Sequence, residues 1–316
     1  MDYNRKEGVD MDYSKNLLIK VCEFYYNMNM NQQQIANKLN ISRVKVSRLL
    51  SEAKSKGIVK IEIRYPGDNC IQTEGLLENK YGLEEAVIIS SKDKSKDLVF
   101  SEVTKIAAEF MEEKITPKDI IGFAWGRTIK SMIDRVPQIN KGKKAVQLIG
   151  NIGSIDVSGD VIVRKVANAL GSEISLLPAP AIVDSKHIKE AIMSDGKIKG
   201  IFDDQKECTI AFVGIGEANE KSILVDTGYL RDEDLQELRD AKAAGEICGR
   251  FIDENGELCK CSVDERVLGI SFEDLKNIPL VVAIATGKEK VKAMKAVLGS
   301  GAVDVLITDE VTASYL

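Results

Sequence analysis

The stretch NISRVKVSRLL, residues 40–50, sets Arg43, Lys45 and Arg48 within two helical turns, with Ser47 among them. Cations at that spacing neutralise phosphates, and Arg, Ser and Gln side chains can also read base edges. Gln33 before the stretch and Lys54 after it extend the set. Gln33, Arg43, Lys45, Ser47, Arg48 and Lys54 are thus the candidate contacts to DNA. A second set has the chemistry to hold a phosphorylated sugar. Glycine-bearing turns follow apolar runs in GFAWGRT, QLIGNIG and VGIG, and they supply Gly126, Arg127, Thr128, Gln147, Gly150, Asn151, Gly214 and Gly216. Amides in such turns point at anions, Arg127 adds charge, and Asn151 can bond sugar hydroxyls. GEICGRFID adds Arg250 and Asp253, and ATGKEK adds Lys290. ITDE adds Asp309, which either binds a sugar hydroxyl or caps a terminal helix.

Helices must position the first set. SKNLLIKVCEFYYNMNM places Leu17, Leu18, Val21, Phe24 and Tyr25 on one stripe behind a capping Ser14. NQQQIANKLN puts Ile35, Ala36 and Leu39 on one face, and Asn40 suits the left-handed turn that ends a helix. Ser42 then caps a third helix, expected to run to about Lys56 with Val46, Leu49, Leu50 and Ala53 buried, and Gly57 stops it. IVKIEIRY, residues 58–65, alternates as a strand should, and PGD marks a linker at 66–68. Two short helices across a tight turn have the pattern of a helix-turn-helix, with the strand that follows as its expected wing.

Strands must position the second set. After a short helix over 73–81, the runs EAVIIS, DIIGFAW, KAVQLIG, CTIAFVGIG, LVVAIAT and VDVLITDE alternate with amphipathic stretches. Their nearly continuous apolar character predicts an α/β body with a mainly parallel sheet covered on both faces. Ligands of such sheets collect at the carboxyl ends of the strands, where the glycine turns fall. Trp125 is equally suited to the core and to a lid over sugar. His187 lies among charged residues at helical spacing and is expected at the surface.

The charge distribution agrees with this division. The chain of 316 residues carries −5 overall, yet residues 14–65 carry +7, residues 1–13 carry −2 and the remainder −10. A basic head on an acidic body favours end-on docking to a polyanion. The expected organisation is a tail at 1–13, a DNA-binding domain at 14–66, and a ligand-binding α/β body at 67–316. No apolar run is long enough to cross a bilayer, and the start lacks an apolar core behind basic residues, so a cytoplasmic protein is expected. Six cysteines show no repeated spacing, and the CKC pair has no partner pair, so reduced thiols and neither metal nor cofactor are expected.

NQQQIANKLNISRVKVSRLLSEAKSKGIVKIEI, followed in order by GFAWGRT, QLIGNIG, LPAPAIV, GEICGRFID and VLITDE, resembles the SorC family, or SorC/DeoR group, of bacterial sugar-binding transcriptional regulators. The likeness runs from about Leu17 to Leu316. It implies a winged helix-turn-helix on an effector domain related in fold to ribose-phosphate isomerases and glucosamine-phosphate deaminases. It also implies a homotetramer or homodimer whose grip on operator DNA is altered by a sugar phosphate or a sugar, and it points to Lys290 in particular. The alternative is a sugar-phosphate isomerase or deaminase carrying a DNA-binding head, with Asp253, Asp309 or Glu310 supplying carboxylates. The attached head and the isolated His187 weigh against it.

Overall fold

The computed structural model describes residues 13–60, 70–153 and 157–316. The chain divides into two compact units, Met1–Pro66 and Gly67–Leu316. In the first unit, α1 (Tyr13–Cys22) runs into a π-helical turn at Glu23–Asn27, followed by α2 (Gln32–Leu39) and α3 (Arg43–Ser55). Asn31 and Gln34 form a reciprocal cap on α2, Asn40 closes it at φ +53°, and the Ser42 hydroxyl accepts from Lys45 N at 3.2 Å to start α3. Leu18, Val21, Phe24, Ile35, Ala36, Val46, Leu49, Leu50 and Ala53 form the core of this unit. One expectation needs correction here. Tyr25 is exposed and Tyr26 packs in its place. The π-helical turn inserts an extra residue, which shifts the helical phase by one position beyond Phe24. The strand expected at 58–65 and the linker at 66–68 fall largely outside the described residues, as does the tail.

In the second unit the elements are α4 (Ile71–Tyr81), β1 (Glu85–Ile89), α5 (Lys96–Lys114), β2 (Ile120–Phe123), α6 (Arg127–Ile133), β3 (Lys144–Gln147), α7 (Gly159–Leu170), β4 (Glu173–Ser175), α8 (Lys186–Met193) and α9 (Gly196–Lys206). Then follow β5 (Ile210–Gly214), β6 (Gly216–Glu217), α10 (Ile223–Asp226), α11 (Asp232–Asp240), β7 (Ala243–Ile247), β8 (Arg250–Asp253), α12 (Phe272–Lys276), β9 (Leu280–Ile284), α13 (Val291–Gly299), β10 (Val305–Asp309) and α14 (Glu310–Ala313).

Seven strands form one sheet in the order β1-β10-β9-β5-β2-β3-β4, with every pairing parallel. Alternate strand residues serve opposite faces. Ile121, Phe123, Phe212, Val282 and Ile307 join α5, α6 and α7 in one core, while Val146, Ala211, Val213, Val281 and Leu306 join α4, α12 and α13 in the other. The Phe123 and Phe212 rings, paired in register, stack at 5.8 Å. Burial on both faces accounts for the unbroken apolar runs. A smaller antiparallel sheet, β6-β7-β8, stands apart from the main one. Among the described residues no helix is long and apolar enough to cross a membrane.

Candidate functional site

The strand order reverses between β2 and β5. The chain leaves β2 toward β3 and β4, and leaves β5 toward β9 and β10, so the connections diverge and open a crevice at the carboxyl ends. A cleft of about 660 Å³ occupies that place. Its walls come from the segments that follow β1 (Ser91, Lys94, Lys96), β2 (Ala124–Ile129), β5 (Gly214–Glu217), β9 (Thr286–Lys290) and β10 (Asp309–Thr312), with Glu246 and Cys248 from the small sheet.

Backbone conformation shapes the walls. Gly126 has φ +123°, a region closed to other residues, and it turns the chain so that α6 begins at the cleft. Arg127 follows it with no hydrogen-bond or ion-pair partner among the described residues. Lys96 and Lys221 line the same cleft and are likewise unpaired. Lys94 is held by Glu102 at 2.6 Å, and Lys288 reaches the Tyr315 hydroxyl at 3.1 Å. Lys290 Nζ donates to Ile215 O at 2.8 Å, and burial lowers its pKa from the usual ammonium value.

Glu246, on β7, is a buried carboxylate with no cation within ion-pair distance among the described residues. It accepts from Gly249 N, and its other oxygen lies so close to Gly216 that a Cβ there would approach it to 2.2 Å. Burial raises it to about 7, against the opposing pull of that amide and of Lys290. The neighbouring Cys248–Gly249 pair has φ +51° and +77°, a two-residue turn of the primed type that joins β7 to β8. Burial raises the Cys248 thiol as well, so it is no ready nucleophile. Trp125, the only tryptophan, is buried at the cleft, and its indole Nε1 has no hydrogen-bond partner among the described residues.

The structure gathers Gly126, Arg127, Thr128, Gly214, Gly216, Lys290 and Asp309 around the cleft. It places the other five candidates elsewhere, for reasons visible in their bonds. Gln147 is fully buried and bonds Ile149 O, Asn151 Oδ1 and Leu177 N. The Asn151 carboxamide oxygen also accepts from Ser158 and from Asp160 N at the start of α7. Gly150 N donates to Leu268 O at 2.8 Å in a neighbouring segment. Arg250 is buried, and its guanidinium bonds Ile270 O, Gly269 O and Asp264. Asp253 organises the following turn by accepting from Asn255 N and Glu257 N. At Asp309 the carboxylate caps α14, accepting from Thr312 N at 3.0 Å and from the Thr312 hydroxyl. His187 is exposed on α8, away from the cleft. The sequence reading passed over Glu246, Lys96, Glu217 and Lys221, although Glu246 stood inside a quoted motif.

On the first unit, Gln33, Arg43, Lys45, Ser47, Arg48 and Lys54 are all exposed. Gln33 bonds Asn37 at 3.0 Å, whereas Arg43, Lys45, Arg48 and Lys54 make no ion pair among the described residues.

Residues 65–316 match a family described as "Putative sugar-binding domain". The chain is 32% identical to the deoxyribonucleoside regulator of Bacillus subtilis (strain 168), over 97% of this chain and 99% of that protein. It is 31% identical to the sorbitol operon regulator of Klebsiella pneumoniae, over 95% and 97%. The crystal structure of the full-length Klebsiella regulator superimposes with a TM-score of 0.73 at 30% identity, covering 98% of this chain and 99% of that one. A DeoR family transcriptional regulator from Listeria monocytogenes also gives 0.73, at 31% identity over 78% of this chain and 98% of that one.

Proposed function

The chain belongs to the SorC/DeoR-type family of transcriptional regulators, and from that premise we propose that it binds operator DNA through α3 and a sugar phosphate in the cleft of its second unit. The observation that carries the ligand assignment is the cleft itself, set where the strand order reverses and lined by the unpaired cations Arg127, Lys96 and Lys221. Cations without internal partners suit a phosphate, while Glu246, Glu217 and Asp309 offer acceptors to hydroxyls. The exposed, unpaired cations of α3 support the DNA assignment. The ligand alters operator affinity by binding one arrangement of a homodimer or homotetramer better than another, since equal affinity for both would shift nothing.

A thermal-shift screen of free and phosphorylated sugars tests the ligand assignment, with quenching of Trp125 fluorescence as a second readout. A binding sugar phosphate raises the melting temperature and changes operator affinity. No shift from any compound, or turnover of one of them, would overturn the reading.

A further inference from the structure

The outer face of α3 holds a residue that phosphate chemistry does not explain. Val44 is 62% exposed, whereas Val46, Leu49, Leu50 and Ala53 on the same helix are buried. At about 100° per residue, Val44 lies roughly 170° around the helix from the centre of that buried face. It therefore stands in the middle of the outward face, one turn before Arg48, with Arg43 and Lys45 beside it. Single exposed valines are common on protein surfaces. This one is β-branched in a solvent-facing helical position, where Lys, Arg or Gln would serve the helix better. It is also encircled by cations that make no ion pair among the described residues, which fixes the charge of whatever covers it.

A surface both cationic and centrally apolar matches the major groove at a thymine. Phosphates line the groove on both sides, and the C5-methyl group of thymine is the one apolar feature its base edges present. Resting on the assignment of α3 to operator DNA, we propose that Val44 is a specificity-determining residue that packs on a thymine methyl. The flanking cations hold the phosphates, and Val44 discriminates among bases.

The test uses the full chain and a duplex recovered by selection from a random DNA pool. Each thymine of the duplex is replaced singly by uracil, which removes only the methyl group. At one or two positions per half-site, affinity should fall about three- to fivefold, the worth of one buried methyl-sized group. In Val44→Ala the same replacements should cost nothing, while thymines elsewhere respond as in the parent protein. Ala is the better helix former, so a melting temperature that does not fall separates contact from folding. Uracil tolerated at every position overturns the proposal, as does a uracil penalty that persists in Val44→Ala. Failure of the full chain to select any duplex would instead overturn the DNA assignment, and this proposal with it.

Discussion

Glu246 carries the sharpest prediction because its environment and its charge disagree. A carboxyl that ionises near 4.5 in the unfolded chain and at about 7 in the folded one binds a proton only in the folded state between those values. Stability therefore falls as pH rises from about 4.5 to about 7 and is flat above, a loss on the order of 3 kcal/mol. Glu246→Gln keeps an oxygen for Gly249 N and removes the charge. It should melt higher than the parent at pH 8, with the gap closing as pH drops below 6. Two arginines should part in the same way. Arg127→Ala is expected to weaken ligand binding about ten- to hundredfold with little change in melting temperature. Arg250→Ala, which strands the Asp264 carboxylate and leaves two backbone carbonyls unbonded, should cost about 3 kcal/mol or more of stability. Across its turn, GEICGRFID carries Glu246 and Arg250 at opposite parities. Ile247 faces Arg250 and Glu246 faces Phe251 across the hairpin, so the two charged residues point to opposite sides. The Cys-Gly turn that sets this parity was readable, but which side met the cleft was not.

Elements differed in how plainly the sequence announced them. The six apolar strands and the three head helices were legible because burial on one stripe or two faces writes its period into the chain. β4 escaped notice as an edge strand of three residues, and the β6-β7-β8 sheet because it is short and only partly apolar. The loop of residues 90–95 and the start of α5 reach the cleft only because β1 pairs with β10, more than 200 residues away. No local pattern carries that information. Capping was readable, and it leads to a prediction. Ser42→Ala removes the acceptor at the start of α3 and should lower the stability of the first unit by about 1 kcal/mol. The measurement is amide hydrogen exchange along α3, with the second unit as an internal standard.

If α3 binds operator DNA as proposed, the distribution of charge over the two units should govern the association. Operator affinity should fall steeply with salt, and Arg43→Ala and Arg48→Ala should each lower the slope of log K against log salt by about one. Unchanged slopes in both variants would place the contact surface elsewhere. The acidic second unit, repelled by the same phosphates, favours approach head first.

The position of β10 has a bearing on how the protein is made. It lies between β1 and β9, so β1 has no strand partner in the sheet until β10 arrives. On the ribosome, the helical head can complete its local contacts while the body is still being synthesised. The sheet can close, and the cleft gain its Asp309–Thr312 wall, only when residues 305–312 have emerged. On the proposed function, a nascent chain would thus acquire the helix assigned to DNA well before the cleft assigned to the ligand is complete.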